Sequence, residues 1–238
     1  MATDITWEGT QARIWSCEAC KGQARVEINS RQQTSPPSKS VGLLFVGVAP
    51  PHHGSPSRRK VAKSATNDPG DNLRRFIESS VELRWDDLID KSVFLIHAVK
   101  CAIVPDAEGF QSPPNDVVDR CSPVGFVDEL RLLRPTRIVA FGGAARRAVL
   151  KHPSITAPRG ASVSKTFRKL HESWPKGIPC KLGSSELTLH PAPFPRSPAA
   201  KKTAAVIIYE AARLAGLCNA ADQHAGWKPA ATRNGKVG

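Results

Sequence analysis

No stretch of this chain stays apolar for long. The longest such runs, Val41 to Pro50 and Ser92 to Val99, fall far short of the roughly 20 residues that span a bilayer, so no membrane segment is expected. The first residues, Met1-Ala2-Thr3-Asp4-Ile5-Thr6-Trp7-Glu8, lack a basic stretch followed by an apolar one, and a secretory leader is not expected either. A cytoplasmic, reducing environment follows as the expectation. Acidic residues are scarce, 21 Asp and Glu against 34 Lys and Arg, and the formal net charge of +13 would draw in a polyanion. Nucleic acid is the leading partner, although a generically arginine-rich protein would show the same balance. No internal repeat is present.

What is there is enough for one sizeable core. At 238 residues and 40% hydrophobic content, length favours one domain, read here as 1–218, followed by an aperiodic segment 219–238 that reads as a disordered basic tail. A polar segment, Asn29 to Ser40, reads as a surface connection. Leu43-Leu44-Phe45-Val46-Gly47 is a short continuous apolar run of the kind found in strands buried on both faces. Val93 to His97, Ile138 to Phe141 and Leu187 to His190 are comparable. Helical periodicity covers Asp71 to Leu83, Asn115 to Leu133, Ala144 to Leu150 and Pro198 to Leu217. This alternation predicts an α/β fold, a single-domain αβα sandwich around a central four-stranded parallel sheet.

In such sheets ligands bind beyond the carboxyl ends of the strands, and the unusual residues fall there. Gly47-Val48-Ala49-Pro50-Pro51-His52-His53-Gly54 follows the first strand, His97-Ala98-Val99-Lys100-Cys101 closes the second, Gly142-Gly143 follows the third, and His190-Pro191-Ala192-Pro193-Phe194-Pro195-Arg196 follows the fourth. Four loops are expected to converge on one crevice. Of six cysteines, Cys17 and Cys20 form a Cys-x-x-Cys pair, Cys101 stands at a strand end and Cys121 on the next helix. In a reducing compartment such thiolates are metal ligands sooner than disulfides. Spacing alone does not separate zinc from an iron–sulfur cluster, and Cys101 and Cys121 also fit as small buried hydrophobes. Cys180 and Cys218 fit no pattern and read as unliganded.

Together the four loops and four cysteines resemble the iron–sulfur branch of the uracil-DNA glycosylase superfamily, its families 4 and 5, over most of Ile14 to Leu217. Cys17-Glu18-Ala19-Cys20, Val99-Lys100-Cys101 and Cys121 look like that branch's four ligands to a 4Fe–4S cluster. The stretch Gly47 to Gly54 is similar to the first motif of family 5, whereas family 4 would place Glu at position 48. Arg134-Pro135, the strand ending Gly142-Gly143-Ala144, and His190-Pro191 fit both. The chain also departs from the pattern. The ring that family members stack on the base has no clear counterpart between Arg58 and Ala65, His97 stands where family 4 has Asn, the third motif reads His190-Pro191-Ala192-Pro193, and the acidic residue of family 5 falls near Asn67 and Asp68.

The resemblance implies a DNA glycosylase acting on DNA that contains uracil or other deaminated bases. The alternatives are a catalytically inactive DNA-binding relative and a metal-dependent protein with no nucleic-acid role. Breaking a glycosidic bond takes the base out of the stack and needs a donor at the base oxygen and a placed water. His190 is the candidate donor, and Asn67, Asp68 or His53 the candidates that place water, although Asp68 also fits a helix cap. Gly47, Val48, Ala49, Pro50 and His97 would form the base pocket, with broad rather than strict substrate choice. Pro191, Ala192 and Phe194 would form a stiff wedge, or Phe194 would simply pack on the fold. Arg58, Arg59 and Arg196 would hold phosphates, or form a solvated face. A monomer is expected.

Overall fold

The computed structural model describes residues 5–31, 36–50, 71–105, 112–152 and 154–218. Its first helix, α1 (Trp7–Ser16), is capped by Thr6, whose hydroxyl accepts from the Gly9 amide at 3.1 Å. Strand β1 (Val26–Arg31) follows, so the expected surface connection from Asn29 begins as strand. Its partner, the short β4 (Cys101–Ile103), runs antiparallel to it. Cys101 therefore opens a strand of its own and does not close the preceding one, which corrects the expectation from the sequence pattern.

The main sheet has six strands in the order β3-β2-β5-β8-β7-β6. The four apolar runs form its parallel part: β2 (Leu43–Gly47), β3 (Val93–His97), β5 (Arg137–Phe141) and β8 (Ser185–Ala192). The expected four-stranded parallel sheet is corrected to a six-stranded mixed one by β7 (Ile178–Leu182) and β6 (Ile155–Thr156), both antiparallel to their neighbours. The physical cause is a hairpin. Ile178, Cys180 and Leu182 point inward while Pro179 and Lys181 are exposed, and Gly183, at φ +61°, begins the two-residue turn that returns the chain from Leu182 to Ser185.

Side chains alternate across the parallel strands and fill two separate cores. Leu44, Val46, Phe94, Ile96, Ile138, Ala140 and Leu189 face one side. There they meet α1, α4 (Asn115–Cys121), α5 (Val127–Leu133), α6 (Gly142–Leu150) and Leu170 of α7 (Phe167–Ser173). Leu43, Phe45, Val93, Leu95, Val139, Phe141 and Ala192 face the other. Against them pack α2 (Asp71–Val81), α3 (Trp85–Asp90) and α8 (Pro198–Leu214), the last capped by Ser197, whose hydroxyl accepts from the Ala200 amide. Phe45 stacks on Phe141 with ring centres 5.8 Å apart. Among the described residues no helix is long and apolar enough to cross a membrane.

The chain leaves β2 for β3 on one side and returns to β5 on the other side of β2. The strand order thus reverses between β2 and β5, and a crevice is expected at their carboxyl ends. Between α4 and α5 the helix widens into a single π turn, Ser122–Phe126, at Pro123, which supplies no amide hydrogen. Gly125 in that turn seats α1, because a Cβ there would lie 2.3 Å from Ile14 Cγ1 and 2.5 Å from its Cδ1.

Gly125→Ala is therefore expected to destabilise the protein by ~1–3 kcal/mol through overpacking, measured by urea unfolding. Ile14→Ala in the same chain should recover part of that loss; additive losses in the double variant would show that the two sites do not press on each other.

Candidate functional site

The carboxyl end of β2 is built by a missing side chain. Gly47 stands opposite His97 in the parallel ladder, and a Cβ at Gly47 would lie 2.7 Å from His97 Cδ2 and 3.0 Å from its Nε2. Only glycine leaves the imidazole this position. Beyond the strands the ladder continues, with the Ala98 amide donating to the Gly47 carbonyl at 2.9 Å and the Val99 amide to the Val48 carbonyl at 3.0 Å. Val48 and Ala49 are thereby held at the sheet end, half-buried, beside a buried Pro50. His97 is itself buried, and burial, followed by the nearby charge of Lys100, pushes its pKa down to about 3. Its imidazole is neutral at physiological pH.

Gly142, at φ +78°, brings three segments together. A Cβ there would lie 3.5 Å from Val48 Cγ2 and 3.6 Å from Phe194 Cβ, so the ends of β2 and β5 and the segment after β8 meet at this point. Pro191 and Ala192, expected in a loop, are the buried last residues of β8, because they complete the ladder with Ala140 and Phe141. Phe194 is half-buried against the second core, with the Arg196 guanidinium 5.2 Å from its ring centre. Arg196 itself is exposed.

His190 lies opposite Val139, two residues before the end of β8. Its ring covers Gly177, which precedes β7 with φ +91°; a Cβ at Gly177 would lie 2.7 Å from His190 Cε1 and 2.9 Å from Nε2. Burial first, and then the charge of Arg137, push the His190 pKa down to about 4, against the opposing pull of Glu210. Its Nε2 is buried without a hydrogen-bond partner. An orphan of this kind costs about 1–3 kcal/mol and calls for an explanation. The turn signal Pro175-Lys176-Gly177 was visible in the sequence, but the dependence of His190 on it was not. His53, Arg58, Arg59, Asn67 and Asp68 lie outside the described residues, as does the tail from residue 219.

Cys17, Cys20, Cys101 and Cys121 line one small cavity, with Ile14, Ala19, Ile28, Lys100 and Val124. They come from the end of α1, the turn after it, the start of β4 and the end of α4. None of the four is paired in a disulfide. Burial pushes the Cys121 thiol up to about 12, and Cys20 is raised by burial and by its neighbour Cys17. Four thiolates cannot share such a space without a compensating cation, since each buried anion is costly. A donor set of thiols alone fits soft metal chemistry, zinc or iron–sulfur. Among the described residues no group of three or more His, Cys, Asp or Glu is arranged for a single metal ion.

A family model described as the Uracil DNA glycosylase superfamily matches residues 35–212. The matched span carries Gly47, His97, Gly142, His190, Cys101 and Cys121, and leaves Cys17 and Cys20 outside. No curated protein matches the chain.

The two neutral histidines set a sign for acid stability. Below about pH 6.5 the unfolded chain takes up protons that the folded imidazoles refuse until about 3 for His97 and about 4 for His190, so stability falls as pH drops through that window. The melting temperature should decline from neutrality toward about pH 4.5, and His190→Asn should flatten the decline. An unchanged slope in the variant would contradict the assignment.

Proposed function

The chain belongs to the uracil DNA glycosylase superfamily, and we propose on that basis that it hydrolyses the N-glycosidic bond of uracil and other deaminated bases in DNA, opening base excision repair. Membership implies a glycosylase acting on DNA; the substrate range and the repair role are our reading. The observation that carries it is His190, a buried neutral imidazole whose Nε2 has no partner within the fold.

The target base leaves the stack and enters the crevice at the carboxyl ends of β2, β5 and β8. As the C1′–N bond breaks, the electron pair goes to the base, whose oxygen becomes anionic, and the sugar becomes cationic. A neutral imidazole with its proton on Nε2 donates to that oxygen without a proton having first to be gained, and such a preorganised donor is worth most where water is excluded. His97, fixed against Gly47, reads the base edge, while the backbone of Gly47, Val48, Ala49 and Pro50 forms the wall. With apolar Val48 there and imidazole at position 97, few polar groups select among bases, which supports a broad substrate choice. Water, placed by Asn67 or Asp68, with His53 as the other candidate, adds its oxygen to the sugar carbon, and the proton it gives up neutralises the base anion, which leaves as the free base.

Pro191, Ala192 and Phe194 brace the crevice against the DNA. Arg196, with Arg58 and Arg59, meets phosphates. Cys17, Cys20, Cys101 and Cys121 would hold the 4Fe–4S cluster, which when bound supplies structural cross-linking of α1, β4 and α4.

Purified protein should release free base from oligonucleotides carrying uracil, hypoxanthine or xanthine, leaving an alkali-labile site. His190→Ala should lower single-turnover excision by about 10²–10³-fold, the usual effect of losing one such donor, and His97→Ala should change the ranking of bases. Binding without excision on all three substrates would replace this reading with a non-catalytic DNA binder.

A further inference from the structure

One buried ionic contact lies outside the crevice. Lys100 and Glu129 pair with each other, and their side chains are only 7% and 2% exposed. The other Glu129 oxygen accepts from Gln11 Nε2 at 3.0 Å, and Gln11 belongs to α1. The Lys100 ammonium also lies 5.6 Å from the centre of the Phe126 ring, in the π turn. At its other end Lys100 lines the cysteine cavity and donates its backbone amide to Cys121 Sγ at 3.2 Å. An unbroken path therefore runs from α1 through Gln11, Glu129 and Lys100 to Cys121.

Burying an ion pair is a poor route to stability, because desolvation of both charges offsets most of their attraction. Its placement explains more than its energy does. The Cys17 end of α1 must stay against the core for four thiols to face one cavity, and α1 is held there by Ile14 on Gly125, by Gln11 on Glu129, and by a surface contact of 2.5 Å between Arg13 and Asp128. Four thiolates around a 4Fe–4S core leave net negative charge in a buried space. A neighbouring ammonium offsets that charge, and a carboxylate paired to the ammonium limits how much of its field reaches the sulfurs. Hydrogen bonds to the sulfurs and local net charge are the levers a protein has on such a group.

We propose that Gln11, Glu129 and Lys100 are positioning residues for the cluster, a buried polar clamp that holds the Cys17 helix on the core, fixes Cys121 through the Lys100 amide and sets the charge beside the sulfurs. The proposal rests on the iron–sulfur reading given above. Glu129 is the centre of the clamp, since it touches both α1 and Lys100. Removing its charge while keeping its shape leaves the Lys100 ammonium unopposed, so an added electron on the cluster becomes easier to hold.

The test uses the full chain purified anaerobically, with iron and acid-labile sulfide counted, the reduction potential titrated by visible absorbance, iron release timed with a chelator, and amide exchange followed by mass spectrometry. Glu129→Gln should raise the potential and speed iron release about 10-fold, the lower end for loss of an outer-sphere partner. Glu129→Asp should bring the potential back toward the wild-type value. Gln11→Ala should leave the potential unchanged, yet speed iron release and exchange in residues 7–16 while residues 137–141 stay protected. Wild-type potential and release rate in Glu129→Gln, or wild-type release in Gln11→Ala, overturns the clamp. If Glu129→Gln loses protection of the central strands as well, Gln11→Ala decides by the same criterion. A wild-type chain carrying neither iron nor sulfide removes the cluster reading itself, and the clamp with it.

Discussion

The described residues of the candidate crevice take their places from one parallel ladder, in which Leu43–Gly47 pairs with Val93–His97 on one side and Arg137–Phe141 on the other, and Arg137–Phe141 pairs in turn with Ser185–Ala192. These strands are buried on both faces, so a slip of one residue would exchange the two cores, and their register is correspondingly fixed. With register fixed, Gly47 must stand beside His97, and Gly142 must open the next helix where Val48 and Phe194 arrive. The chemistry is then a matter of small clearances. At Gly47 and at Gly177 an absent Cβ leaves the volume that an imidazole occupies.

The same burial that positions the histidines takes their charge away. His97 and His190 sit where protonation is strongly disfavoured, so they act as dipoles and hydrogen-bonding groups and not as cations. In the glycosylase reading proposed above, negative charge develops on a departing base, and a fixed neutral donor would stabilise it without a prior proton uptake. The cost is borne by the fold, which keeps Nε2 of His190 unsatisfied. In the cysteine chamber burial likewise disfavours charge, raising the thiol pKa of Cys121 to about 12 and that of Cys20 as well.

Much of the architecture was legible because it rests on strong local patterns. Leu43–Gly47 and Val93–His97 are short, bounded and almost wholly apolar, as a strand covered on both faces must be. The antiparallel strands were not legible: Ile178–Leu182 alternates for only five residues and carries a proline and a lysine outward, and Ile155–Thr156 is two residues long. Trp85–Asp90 was lost for a similar reason, a six-residue helix being too short to show a period. Residue types and strand ends singled out His97, His190 and the four cysteines as candidates, and the structure buries both histidines and sets the cysteines around one cavity. The partners that hold them, Gly177 for His190 and Glu129 for Lys100, are made by tertiary contact between distant segments. No spacing in the sequence announces them.

The seat of α1 has a consequence for where this protein begins as a folding unit. The family model's match starts at residue 35, yet α1 fills the hollow at Gly125 and supplies Gln11 to a buried carboxylate. A chain cut at the boundary of resemblance would uncover an apolar notch and open the Glu129 carboxylate to water on one flank. The border of that match and the border of the packed fold differ here by a helix and a strand, and the helix belongs on the inside.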